Sequence, residues 1–203
     1  PHPALRATFP QGGRQREDKE VANMPKEAKT NAMRMLERAK VAYSAHEYPH
    51  EEGQAVDGAN VARLTGQDPA KVFKTLVTQG ADRNYYVFVV PVLAELDLKK
   101  AAKATGVKSV AMIHVADINK VTGYIRGGCS PVGMKKQFVT VFDESCLAQD
   151  TMLVSGGRIG TQIECSPADL IKVTRGKTAG RADTDKSSHA RPARRISYEE
   201  ESV

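Results

Sequence analysis

Ala32, Met35, Leu36 and Ala39 fall at i, i+3, i+4 and i+7, the repeat of a helix that buries one face, within a stretch that is otherwise charged or small. This spacing predicts a helix over residues 25–40, opened by Pro25 in its first turn. Beyond it the period shortens. Segments 41–48, 72–79 and 84–92 are rich in β-branched and aromatic residues and read as strands; the last is apolar on both faces and is expected inside a sheet. A short helix is expected over 59–66, stopped by Gly66, and a single turn behind Asp68-Pro69, where an acidic cap precedes an N1 proline. The strands at 72–79 and 84–92 join through Gly80-Ala81-Asp82.

Residues 96–106 carry the signature of a helix capped by Asp97 and ended by Gly106, and SVAMI (109–113) reads as a strand. A helix over 114–123 ends at its glycine. FVTVFD (138–143) is a strand, 152–157 and 159–165 form a hairpin around Gly156-Gly157, and Ser166 caps a last helix with Pro167 at N1 and Asp169 at N3. The order is α-β-α-β-β-α-β-α-β-β-β-α. Strands joined directly as hairpins exclude a simple βαβ repeat, so the fold class is α/β of the α+β type: a mixed, mostly antiparallel sheet flanked by helices.

Composition bounds this picture. A chain of 203 residues, 40% of them hydrophobic, suits one domain with a real core. Residues 1–24 and 177–203 show no periodicity and mix Pro, Gly and charge, so they read as a disordered N-terminal extension and a disordered charged C-terminal tail around a domain at 25–176. RRIS at 194–197 has the form of a basophilic kinase site, a short pattern with little weight by itself. No apolar run is long enough to span a bilayer, and the first thirty residues hold no apolar leader segment, so a soluble, cytoplasmic protein without a membrane partner is expected. Cys129, Cys146 and Cys165 form no C-x-x-C unit, which argues against both a disulfide framework and a zinc knuckle. The net charge of +6 permits a polyanionic partner without demanding one.

The chemistry concentrates in TGYIRGGCSPVGMKK (122–136). Gly128 and Gly133 supply the two glycines of a phosphate loop, yet lysine arrives one residue late at Lys135, no Ser/Thr follows it, Pro131 removes an amide, and a strand rather than a helix comes next. Cys129 as a nucleophile would need a base that the sequence does not mark, and reads more readily as a small buried hydrophobe. His46 and His50 share a strand face but stand too far apart along it to hold zinc together. Lys74 is different. It interrupts an apolar strand (Val72, Phe73, Leu76, Val77), so it either leans into solvent or brings a fixed charge to a cleft.

Four segments taken together, VFKTLV (72–77), PVLAELDLKKAAKATG (91–106), TGYIRGGCSPVGMKK (122–136) and VSGGRIGTQIE (154–164), resemble the YbaK family of aminoacyl-tRNA editing domains in order and spacing. That family includes free-standing Cys-tRNA(Pro) deacylases and the editing domain of bacterial prolyl-tRNA synthetase. The similarity spans roughly residues 25–175. It implies a domain with a bent mixed sheet whose pocket hydrolyses the ester of a mischarged aminoacyl-tRNA, Cys-tRNA(Pro) first, without metal or cofactor, with the substrate thiol as a proposed participant and prolyl-tRNA synthetase as a candidate partner. DNA is not implied. By this resemblance Lys74 and Gly127 are catalytic, and Tyr48, Gly128, Cys129, Ser130, Pro131 and Gln162 bind substrate. Lys99, Lys100, Lys135 and Lys136 are candidates for contact with the tRNA acceptor stem, with a solvated face as the alternative. Gln162 stands where the family often has aspartate, and Asp57 where it often has an aromatic residue, so the amino-acid specificity stays open; alanine and serine are alternatives to cysteine. A non-catalytic tRNA- or synthetase-binding module is the other reading.

Overall fold

The computed structural model describes residues 29–51 and 53–180. Pro25, the RRIS segment and nearly all of both predicted tails lie outside the described residues. Helix α1 (Asn31–Arg38) begins at Thr30, whose hydroxyl accepts from the Met33 amide, and buries Ala32, Met33 and Leu36. After β1 (Ser44–Glu47), α2 (Gly58–Thr65) is capped by Asp57 and closed by Gly66 in the left-handed region at φ 65°. A 3₁₀ turn at Pro69–Lys71 leads into β2 (Phe73–Gly80) and β3 (Tyr85–Pro91). Then come α3 (Leu98–Thr105), β4 (Val110–Met112), α4 (Val115–Thr122) and β5 (Val139–Asp143). β6 (Met152–Ser155), β7 (Thr161–Cys165), α5 (Pro167–Thr174) and β8 (Lys177–Ala179) complete the chain.

The order of elements through α5 is the one the periodicity implies, and the boundaries differ where tertiary pairing trims or adds residues. Gly80 belongs to β2, and the turn uses Ala81–Asn84 with Arg83 at φ 65°. The loop between β6 and β7 runs over Gly156–Gly160 rather than two glycines. Ser166 occupies the α5 cap without a side-chain capping bond. β8 lies past residue 176, where the sequence reading ended the domain; three residues beside a polar tail carry no period, and only the parallel pairing Val141–Lys177, Phe142–Thr178 and Asp143–Ala179 makes them a strand.

There are two sheets where one was expected: β1-β7-β6, antiparallel, and β4-β2-β3-β5-β8, mixed, with β3–β5 and β5–β8 parallel. A single parallel bridge, Val72–Leu153, links them. The outer edge of β2 pairs with β4 at residues 78–80 and its Val77 carbonyl accepts from the Ile113 amide at 3.3 Å, so residues 73–76 run unpaired on that side between the bridge and β4. This gap positions the site. Behind it, Phe73, Val89 and Phe142 of the large sheet meet Met152, Val154 and Ile163 of the small one under Leu36 of α1 and Leu170 of α5. On the other face Ala101 and Ala102 of α3 pack on Tyr86, Phe88, Val90 and Val141.

Candidate active site

The edge gap of β2 opens into a cavity of about 740 Å³. Lys74, Thr75 and Val77 line it from β2, Gly127 and Cys129 from the glycine-rich loop, Tyr48 from just past β1, Gln162 from β7, Met112 from the end of β4, and His114, Val115 and Ile118 from the start of α4. Five of the residues the sequence singled out (Lys74, Gly127, Tyr48, Cys129, Gln162) thus come together from parts of the chain up to 114 positions apart.

Lys74 is half-buried, and desolvation holds its ammonium below the ordinary lysine range; the charge of Glu95, in the turn after β3, offsets part of this. Its ammonium makes no hydrogen bond or ion pair with another described residue. Two buried side-chain oxygens, Thr75 Oγ1 and Gln162 Oε1, find no partner among the described residues, and both residues line this cavity. An unpaired buried acceptor is expensive, so both point to a ligand with donors. Tyr48 is buried at its wall, its amide donating to the Gly160 carbonyl at 2.9 Å and its hydroxyl pushed up by desolvation.

The loop is built by its own side chains. Tyr124 donates its hydroxyl to the Val132 carbonyl at 2.7 Å while its amide donates to Thr122 Oγ1 at 3.0 Å, and the Asn31 amide group reaches the Gly133 carbonyl at 2.7 Å. Gly127 sits at φ 80°, where glycine is favoured, and a Cβ there would lie 2.7 Å from Ala55 Cβ. The Gly128 amide is already given to the Ile125 carbonyl at 3.0 Å, and a Cβ on Gly128 would come within 2.9 Å of the Arg158 backbone. The amides of Gly127 and Cys129 donate to no described residue. Both residues line the cavity, so these amides are donors within reach of a bound ligand. Cys129 itself is buried, and desolvation pushes its thiol up to about 11, the opposite of what a thiolate nucleophile needs.

Several expected substrate contacts fall elsewhere. Gly128, Ser130 and Pro131 do not line the cavity: Gly128 packs on Arg158 and Ile159, Ser130 is fully buried with its Oγ accepting from the Val132 amide, and Pro131 borders a separate hollow of about 160 Å³ with Lys135 and Lys136. They form the backing of the wall. Asp57 also leaves the site, because its carboxylate accepts from the Ala59 and Asn60 amides as the α2 cap. Lys135 donates to the carbonyls of Asn119 (3.0 Å) and Lys120 (3.4 Å) at the end of α4, and Lys99 and Lys100 stand in the first turn of α3, outside the cavity lining. His46 is paired with Glu164 at 2.7 Å. Sequence reasoning missed Thr75, Met112, His114, Arg126 and Ser155. Of these only His114 left a signal, a histidine where a helix cap favours Ser, Thr, Asp or Asn.

A largely apolar cavity with one lysine, two unpaired acceptors and two loop amides defines a binding pocket for a small polar group in a two-sheet α/β domain. Residues 52–173 match the family model of the aminoacyl-tRNA editing domain, and the chain belongs to that family. A protein of Enterococcus faecalis provisionally named Cys-tRNA(Pro)/Cys-tRNA(Cys) deacylase EbsC is 45% identical over 159 residues, 78% of this chain and 96% of that protein. A solved structure provisionally described as a trans-editing enzyme for prolyl tRNA synthetase shares the fold, with a TM-score of 0.64 at 23% identity over 74% of this chain and 93% of that one.

Proposed function

We propose that this protein is a trans-editing hydrolase that cleaves the aminoacyl ester of mischarged tRNA, with Cys-tRNA(Pro) as its first substrate and the cytoplasm as its place of work. The observation that carries the reading is the convergence of Lys74, the loop amides and two unpaired oxygens on one cavity in a chain of the editing family. The ammonium of Lys74 anchors a carbonyl, ribose or phosphate oxygen of the substrate as a point charge. The amides of Gly127 and Cys129 face the oxyanion that develops at the ester carbon. Tyr48 and Gln162 close the end that receives the amino acid, and the unpaired Gln162 oxygen accepts from its ammonium group.

The protein brings no activated nucleophile, since the Cys129 thiol is raised rather than lowered. The attack comes from water or, for cysteine, from the substrate's own thiol. In the second case the thiol sulfur bonds to the ester carbon, its proton passes to the departing ribose oxygen, and water then opens the thiolactone. The need for such a site follows from energetics: a synthetase pocket rejects a smaller amino acid by only about 1–3 kcal/mol per missing group. Lys99, Lys100 and Lys136, together with Lys135 beside its α4 contacts, meet the acceptor stem, and prolyl-tRNA synthetase supplies selectivity for tRNA(Pro).

Deacylation of a panel of mischarged tRNAs tests this, with tRNA(Pro) carrying Cys or Ala first. Rapid release of Cys from tRNA(Pro) is expected. Absence of hydrolysis with every charged tRNA, beside measurable tRNA binding, would leave a binding module in its place.

A further inference from the structure

The cavity has a closed end and an open end. Val61, Val72, Phe73, Val77 and Val92 line it from within the core, each at most 9% exposed. The lining residues that are exposed are Met112, His114, Val115 and Arg126, three of them in the four-residue segment where β4 runs into α4. Met112 and Val115 are 49% and 52% exposed, an apolar step at the mouth of the cavity. His114 occupies the α4 cap position yet makes no side-chain capping bond, whereas Thr30, Asp57 and Asp97 cap α1, α2 and α3. Its ring is not used by the helix it starts. Met112, Ile113 and His114 also border a second hollow of about 380 Å³ with Tyr85, Ser109 and Asp117, so the step joins two hollows along the short edge strand β4.

We propose that Met112, His114 and Val115 form the platform on which the terminal base of the tRNA stacks, with the preceding nucleotides leaving over the β4 edge through the second hollow. This rests on the deacylase reading. The ester joins the amino acid directly to the terminal ribose, so when the amino acid enters the closed end by Gln162 the base lies one nucleoside away, at the mouth. A base presents a flat π-face that stacks on aromatic and apolar side chains whatever its sequence identity, while its polar edges stay in water. Three side chains are too few for a second copy of the chain, since a stable protein interface buries roughly 1,200–2,000 Å².

The experiment is steady-state deacylation of Cys-tRNA(Pro) by the double variant His114→Ala/Val115→Ser and by His114→Phe, with adenosine 5′-monophosphate as a competing probe. Loss of the stack raises KM about tenfold in the double variant with kcat within about twofold, and His114→Phe, which restores a flat ring, stays near wild type. The nucleotide inhibits the wild type competitively and the double variant much more weakly. An unchanged KM, a fall in kcat alone, or equal inhibition of both proteins would overturn the platform while leaving the deacylase reading intact. A change in oligomeric state of the variants by light scattering, with unchanged kinetics, would overturn it in favour of a contact between copies. If the wild type hydrolyses no charged tRNA, the deacylase reading fails by itself, and methyl NMR of Met112 with the same nucleotide judges the platform: an unperturbed signal overturns it.

Discussion

At the scale of single residues, the site sets a charged lysine against its own environment. Desolvation lowers the Lys74 ammonium below 10.5, so the unfolded chain binds more protons than the folded one, and stability rises with pH between the lowered folded value and the ordinary one. At neutral pH that charge is a cost to the fold. Lys74→Met is therefore expected to unfold at a temperature no lower than the wild type at pH 7, while deacylation disappears; a variant that keeps a near wild-type rate removes Lys74 from the chemistry. Cys129 makes the converse prediction. With the thiol at about 11, only about one molecule in a thousand carries a thiolate at pH 8. Cys129→Ser should keep most of the deacylase activity, and iodoacetamide should label the folded wild type far more slowly than a free thiol. A serine variant as inactive as the lysine variant would restore Cys129 as nucleophile.

At the scale of elements, the stretch from Thr122 to Lys136 is a closed ring rather than an open binding loop. The Lys135 amide returns to the Thr122 carbonyl at 2.9 Å, and Tyr124 spans the ring to Val132. Removing that hydroxyl leaves a buried carbonyl unpaired, so Tyr124→Phe is expected to cost about 1–3 kcal/mol in urea unfolding. At Gly127 packing alone rules out a side chain: the added carbon meets Ala55 Cβ at 2.7 Å and its Cα at 3.0 Å, from a φ of 80°. Gly127→Ala should lose more than about 1 kcal/mol of stability and displace residues 54–56, of which Val56 lines the cavity. Unchanged stability in that variant would contradict the packing account.

At the scale of the molecule, the site exists because two sheets meet at one bridge and leave part of β2 unpaired between them. Elements remote from the cavity still hold it, since β8 lies beside β5, β5 beside β3, and β3 beside β2. A chain ending at 176 loses β8, uncovers the edge of β5 at residues 141–143 and is expected to melt lower than one ending at 180. Equal melting temperatures for the two truncations would show that β8 contributes nothing. No helix among the described residues is long and apolar enough to cross a membrane. With a net charge of +6, and with the acceptor stem meeting surface lysines as proposed, KM for tRNA should rise with salt.

Much of this was readable along the chain. Period and cap chemistry determine the helices and strands and their order, because both depend on neighbours within a turn or two, and Lys74 stands out because a charge inside an apolar strand has few explanations. Spacing alone could not say what the cavity contains. The Val72–Leu153 bridge joins residues 81 positions apart, and only once it forms do Thr75, Gln162 and His114 face a common space. Packing on Arg158 and Ile159 puts Gly128 behind the wall on which Gly127 stands, and the α2 cap removes Asp57 from the pocket. Local pattern encodes which side chains are buried; a cavity is a place where strand pairing stops, and that depends on contacts far apart in the chain.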